Sequence, residues 1–120
     1  MAREFQAGDV LIFQLESGFG LLKVLAIDEA ETGETVWHLA AFEDLYLDSE
    51  MADNALQNID SLRFSEKHLA LTNRAFESTP TARMGNYGIN VAETELVNAW
   101  RANPNRKVLD ISIRLLLGLR

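Results

Sequence analysis

The stretch Gly8-Asp9-Val10-Leu11-Ile12-Phe13-Gln14-Leu15 decides the fold. Gly8-Asp9 is a turn signal, and Val10, Ile12 and Gln14 then alternate with Leu11, Phe13 and Leu15. A strand with one wet face alternates apolar with polar residues. Here both faces are mostly apolar, which predicts a strand buried on two sides. Glu16-Ser17-Gly18-Phe19-Gly20 supplies a turn, with glycines that tolerate positive φ. Leu21 to Ile27 is a second apolar run, Glu29 to Glu34 a second turn containing Gly33, and Thr35 to Phe42 a third run rich in β-formers. Three such runs joined by short loops predict an antiparallel meander over residues 1–46.

The order Gly8-Asp9-Val10-x-Ile12, Gly18-x-Gly20 and Val24-x-x-Ile27 resembles the opening hairpin of SH3-like small β-barrels of the KOW type, over residues 8–27. The resemblance implies a strongly bent or closed sheet. KOW modules commonly bind RNA or transcription machinery, but this hairpin carries Lys23 as its only base, so that function is not carried over. Similar barrels occur in bacterial toxin-immunity proteins, which are typically small, acidic and cytoplasmic. That likeness is one of general character and implies an immunity or antitoxin-like role.

Residues 47–120 mix helix and strand. Ser49 to Asp60 contains Met51, and Ala52, Ala55, Leu56 and Ile59 have helical spacing, with Asp48 or Ser49 as cap; a polar loop is the alternative, because Asp53-Asn54 and Asn58 are poor helix formers. Leu62 to Leu71 reads as one or two strands. Thr72 caps a short helix over Asn73 to Glu77, which Ser78-Thr79-Pro80 stops. Thr81 to Tyr87 reads as a loop turning at Gly85-Asn86. Asn90-Val91-Ala92-Glu93 fits a capping box, predicting a helix over 91–102 with Ala92, Leu96, Ala99 and Trp100 on its inner face. Leu109, Ile111, Ile113 and Leu115 alternate with polar residues and predict a strand at 107–115, although Leu115-Leu116-Leu117 would suit a helix. The whole is expected to be a single α+β domain: a bent antiparallel sheet or SH3-like barrel with two or three packed helices.

The chain has 120 residues, 48% of them hydrophobic and none cysteine, enough to bury a core without disulfides. Met1 to Gln6 contains no apolar run suited to a signal peptide, and no segment approaches the roughly 20 apolar residues of a membrane span, so a cytoplasmic protein without membrane contact is expected. The net charge is −7 and unevenly laid out. Residues 1–62 hold thirteen acids against Arg3 and Lys23, whereas residues 63–120 hold five acids against nine bases. The 39 residues from Val24 to Leu62 lack any Lys or Arg but carry ten acids, Asp28 to Asp60. Such a stretch is either a solvated face or a docking face for a basic partner. The docking reading expects the acids from Asp28 to Asp53 to form one contiguous face and nominates Glu43, Asp44, Asp48 and Glu50 as partner-binding residues.

Chemistry leaves little trace. Asp28-Glu29-Ala30-Glu31-Thr32-Gly33-Glu34 matches a calcium loop only loosely and reads as a hairpin turn. His38 and His68 lack a partner at metal-ligand spacing. No serine sits in a nucleophile motif and no glycine-rich phosphate cradle occurs, so no catalytic residue, metal or cofactor is assigned. Arg101, Arg106, Lys107, Arg114 and Arg120 surround Trp100, but neutralising the acidic half explains them better than nucleic acid does. A basic C-terminal half beside an acidic N-terminal half also allows homo-oligomers. The expected function is thus a non-catalytic protein-binding module. The alternative is a small enzyme or metal-binding protein that uses His38 or His68 with carboxylates brought from elsewhere in the chain.

Overall fold

A computed structural model describes residues 4–119. Met1 to Arg3 and Arg120, and with them part of the reading of the N-terminus and of the basic C-terminal group, lie outside the described residues. In chain order the elements are β1 (Asp9–Leu15), β2 (Gly18–Glu29), β3 (Thr35–Phe42), α1 (Ser49–Leu56), a 3-10 turn (Ile59–Ser61), β4 (Phe64–Thr72), α2 (Asn73–Glu77), β5 (Thr81–Asn86), α3 (Val91–Ala102) and α4 (Ile113–Leu116). The five strands form one antiparallel sheet in the order β4-β3-β2-β1-β5.

The sheet is open, so the α+β reading holds while the barrel option does not. The reason lies in β1 to β3, which bury side chains on both faces. Leu11, Phe13, Leu15, Leu22, Val24, Trp37, Leu39 and Ala41 pack on one face with Ala75 and Phe76 of α2 and Ile113 of α4. Val10, Ile12, Leu21 and Phe42 pack on the other with Ala52 and Leu56 of α1, beside Leu25, Ala40 and Val97 of α3. A small barrel has only one interior. A sheet that is apolar on both sides needs a layer on each, and four helices, rather than two or three, supply them.

Local chemistry fixes the elements. At Gly20, directly opposite Phe13, a Cβ would lie 2.4 Å from the Phe13 ring, so glycine leaves the space that the ring occupies. Gly8, at φ +92°, turns the chain into β1. Asp48 caps α1 by accepting from the Met51 amide at 2.8 Å, and Thr72 caps α2 by accepting from Ala75. Asn90 and Glu93 close the predicted capping box, each side chain accepting from the other's amide, at 2.8 and 3.0 Å.

Three readings need correction. Thr81 to Asn86 is a strand, not a loop. It is an edge strand with little apolar patterning, held to β1 by polar groups: buried Asp9 accepts from Arg83 Nε at 2.9 Å, Asn86 Nδ2 at 3.0 Å and the Gln6 amide at 2.9 Å. Burial pushes the Asp9 carboxyl up, but these hydrogen bonds outweigh it and hold the group below the usual carboxylate range. Residues 107–115 are not a strand: Leu109 makes a single parallel bridge to Leu71, and the chain then enters α4, where Ser112 accepts from the Leu115 amide. Finally, the inner face of α3 is Glu93 and Val97 with half-buried Trp100, while Ala92, Leu96 and Ala99 face outward.

Trp37 stacks on Phe76 with centroids 4.0 Å apart and donates to Asn73 Oδ1 at 2.9 Å, joining β3 to α2. Trp37→Ala should cost about 3–5 kcal/mol in chemical denaturation, and an unchanged midpoint would contradict this packing. Asn90→Ala should cost about 0.5–2 kcal/mol and Asn90→Gly only a few tenths, because glycine is tolerated at a helix cap.

Candidate functional site

The most concentrated chemistry is a chain of hydrogen bonds on the face of the sheet beneath α3. Its origin is a β-bulge. The pairing of β2 with β3 runs Val24 opposite Leu39 and then Ala26 opposite His38, leaving Leu25 as the extra residue. Lys23, opposite Ala40, lies on the α3 side; past the bulge the parity switches, so Ala26 and Asp28 lie there too. Asp28 is thereby aimed at His38 instead of at the opposite layer. In β4, His38 pairs with Ala70, and His68, two residues earlier, shares that face.

His38 is fully buried and both its ring nitrogens are engaged: Nε2 lies 3.0 Å from Asp28 Oδ2 and Nδ1 lies 2.9 Å from His68 Nε2. Asp28 in turn takes both arms of Arg101 from α3, Nε to Oδ2 at 2.9 Å and Nη2 to Oδ1 at 2.6 Å. Trp100 closes the group, its ring edge-on to His38 at 4.7 Å, its Nε1 donating to the Lys107 carbonyl, and the Arg106 guanidinium 5.6 Å above it.

Proton positions follow from the partners. The Asp28 carboxyl is held below the usual range by the Arg101 hydrogen bonds and by His38, burial opposing, so it only accepts. His38 Nε2 therefore carries a proton and donates to it, His38 Nδ1 accepts, and His68 Nε2 donates to His38. Burial pushes His38 below its ordinary value, outweighing Asp28, and pushes His68 down to about 4, helped by the charge His38 would carry. Both imidazoles are neutral at pH 7. A base oriented by a histidine and a carboxylate has the form of a catalytic relay, but no hydroxyl nucleophile is hydrogen-bonded to either ring among the described residues. Among the described residues, likewise, no group of three or more histidines and carboxylates is arranged to hold a metal ion. The ring nitrogens bind one another, and the arrangement works as a lock between β2, β3, β4 and α3.

The nine acids from Asp28 to Asp53 do not share one face. Asp28, Glu29, Glu31 and Glu34 flank the β2–β3 turn, and Glu43, Asp44, Asp48, Glu50 and Asp53 follow the other end of β3. The eight residues of β3 separate the two groups by about 25 Å. The nominated Glu43, Asp44, Asp48 and Glu50 stay together, all exposed, around the entry to α1. The basic residues near Trp100 are partly occupied, Arg101 by Asp28 and Arg106 over the indole. No protein-family model matches the chain, and neither a curated protein nor a solved structure shows detectable similarity to it.

Sequence inspection missed the Asp28–His38–His68 chain because the bulge that aligns it has no sequence signature. The readable signal was His38 itself, an ionisable residue inside an apolar strand, which demands partners. The histidine pair also sets a pH dependence. Both folded values lie below the 6.5 of an unfolded histidine. Above pH 6.5 neither state binds the protons and the lock contributes in full. As pH falls below 6.5 the unfolded chain protonates first, and stability drops by up to about 1.4 kcal/mol per unit for each histidine. For His68 that loss continues to about pH 4. Asp28 does not offset this, because its contribution is lost only below its unfolded value of 3.8. Denaturation at pH 7.5 and 5 should show the drop, and His68→Gln should flatten it. An equal slope in the variant would place the titration elsewhere.

Proposed function

We propose that the protein is a docking module whose segment Glu43–Asp53 receives a basic, amphipathic surface of a partner protein. The observation that carries the reading is the pairing of exposed apolar side chains with acids that form no salt bridge among the described residues. Leu47 is 76% exposed, Leu45 49% and Met51 46%, and Glu43, Asp44, Asp48, Glu50 and Asp53 surround them in the chain. The segment is pinned: Tyr46 and Phe19 exchange backbone hydrogen bonds of 2.7 and 2.8 Å, and Tyr46 packs inward with Phe42 and Leu56. With Tyr46 inward, its neighbours Leu45 and Leu47 point out, so the apolar groups are held in place before any partner arrives.

Apolar anchors within a charged rim are the anatomy of a protein interface, and single-sign charge speeds the encounter with a partner of opposite sign. Arg63, just before β4, accepts at its backbone carbonyl from the Glu43 amide at 2.8 Å. The immunity-like role is one concrete form of this reading, in which the acidic patch covers a basic toxin. A second copy of the chain, offering its basic C-terminal half, is the alternative occupant.

The test separates these. The wild type and a Leu47→Ser variant carrying Asp44→Asn and Asp48→Asn serve as bait in cell lysate, and sedimentation gives the oligomeric state of each. Asn is itself a good helix cap, so Asp48→Asn removes charge without unmaking α1. A partner retained by the wild type, weakened by salt and lost by the variant supports the reading. A partner retained equally by both sinks it, and sedimentation as a dimer with no other partner assigns the patch to self-association. Stability should be unchanged in the variant, since exposed charges contribute little.

A further inference from the structure

α3 and the loop after it form a strap across the face of the sheet that holds His38, and the strap is pinned at both ends. At its start Glu93 takes Lys23 Nζ at 2.9 Å and closes the capping box with Asn90. At its end Leu109 donates to the Ala70 carbonyl at 2.8 Å and accepts from the Thr72 amide at 3.0 Å. Beyond Glu93, α3 buries Val97, which packs with Leu25 and Ala40. Trp100 then rests edge-on against His38, and Arg101 grips Asp28. Among the described residues, no backbone hydrogen bond joins residues 97–107 to the sheet. Trp100 Nε1 donates instead to the Lys107 carbonyl, tying that stretch to itself.

The ring pair beneath the strap has a limited capacity for protons. While neutral, it needs one N–H between His38 Nδ1 and His68 Nε2. A first added proton is accommodated: His38 then donates from both nitrogens, to Asp28 and to His68, whose own proton moves to Nδ1. A second puts an N–H on each of two nitrogens 2.9 Å apart, and their hydrogen bond is lost. Two imidazolium ions then share one carboxylate, Asp28 of β2, which Arg101 of α3 already occupies. Arg106, in the loop after α3, lies 5.6 Å over Trp100, and Lys67 adjoins His68 in β4. Glu66 of β4 is opposite Ala41 and belongs to the other face of the sheet, and Lys23 and Glu93 neutralise each other further along α3. The excess charge is therefore positive on both sides of the contact. β4 is held by its ladder to β3, from Val36–Thr72 to Phe42–Phe64, whereas residues 97–107 have no ladder to hold them.

We propose that the histidine pair is an acid-operated latch: when both rings are protonated, residues 97–107 lift from the sheet between the pins at Glu93 and Leu109, while the strands beneath stay paired. The inference does not rest on the docking reading.

The full chain, titrated from pH 7.5 to 4 and followed by nuclear magnetic resonance, tests it through its two indole N–H signals. Trp100 lies on the strap, and Trp37 lies in the core of the other face, bonded to Asn73. The Trp100 indole and the amides of residues 97–107 should move to solvent-exposed shifts with the second of two histidine titrations, which belongs to His68 near pH 4. The Trp37 indole and the amides of β1 to β3 should keep their native shifts. His68→Gln retains an N–H toward His38 and takes up no proton, so it should lower the pH of release by at least about one unit. Simultaneous loss of both indole signals, which is global unfolding, overturns the proposal. So does a histidine titration that leaves Trp100 in place, which would mean that His68 turns to solvent alone, or release at the same pH in His68→Gln. Should that variant not fold, the comparison of the two indoles in the wild type decides by itself.

Discussion

Everything in this fold follows from three consecutive strands that are apolar on both faces. Because β1, β2 and β3 must be covered twice, the chain beyond Phe42 has to deliver helices to both sides of the sheet, and it does so by alternation. It places α1 on one face, crosses the edge as β4, places α2 on the other, returns along the far edge as β5, and covers the first face again with α3. Antiparallel neighbours joined by short turns let β1 to β3 assemble locally. The second half then has a template against which to fold.

Each of those three strands also buries one ionisable group, Asp9 in β1, Lys23 in β2 and His38 in β3. Each is matched by a residue from the second half: Arg83 from β5, Glu93 from α3 and His68 from β4. Removing one member of a buried charged pair costs several times more than an exposed one, because the other is left desolvated. These matches therefore specify where the later elements dock, in a way that area alone would not. They also account for part of the charge asymmetry. Asp9 with Arg83 and Asp28 with Arg101 join the acidic half to the basic half inside one molecule. Among the described residues, Glu43, Asp44, Asp48, Glu50 and Asp53 form no salt bridge.

The sequence was legible wherever a local rule governs. Alternation and turn residues located β1 to β3, with Thr35–Phe42 found to the residue, and the caps at Thr72 and Asn90 located α2 and α3, whereas α1 was one of two readings of its segment, with Asp48 or Ser49 as the cap. Phe13, Leu22, Val24, Trp37 and Leu39 are all in the core as the strand pattern requires. What failed was set by partners distant in the chain. β5 is a strand because Asp9 holds it, some seventy residues away. The inner face of α3 runs through Glu93 because Lys23 lies beneath it, which no helical periodicity of apolar residues can announce. In the 107–115 segment Leu109 bridges β4 through Ala70 and Thr72, and Ser112 then caps α4. The histidine chain depended on one extra residue in β2.

The docking segment lies within one long connection of the chain. Residues 43–63 connect β3 to β4, although strands so paired can be joined by a turn of two residues, as β1 and β2 are. A connection this long is uncommon in a compact domain unless it covers core or carries function. It does cover core, through Ala52 and Leu56. Core cover explains those residues and the inward Tyr46. It does not explain why Leu45, Leu47 and Met51 face solvent among acids. Those residues are the ones that packing leaves unaccounted for. A change in this connection can alter what the protein binds while β1 to β3, and the polar matches that lock them, stay as they are.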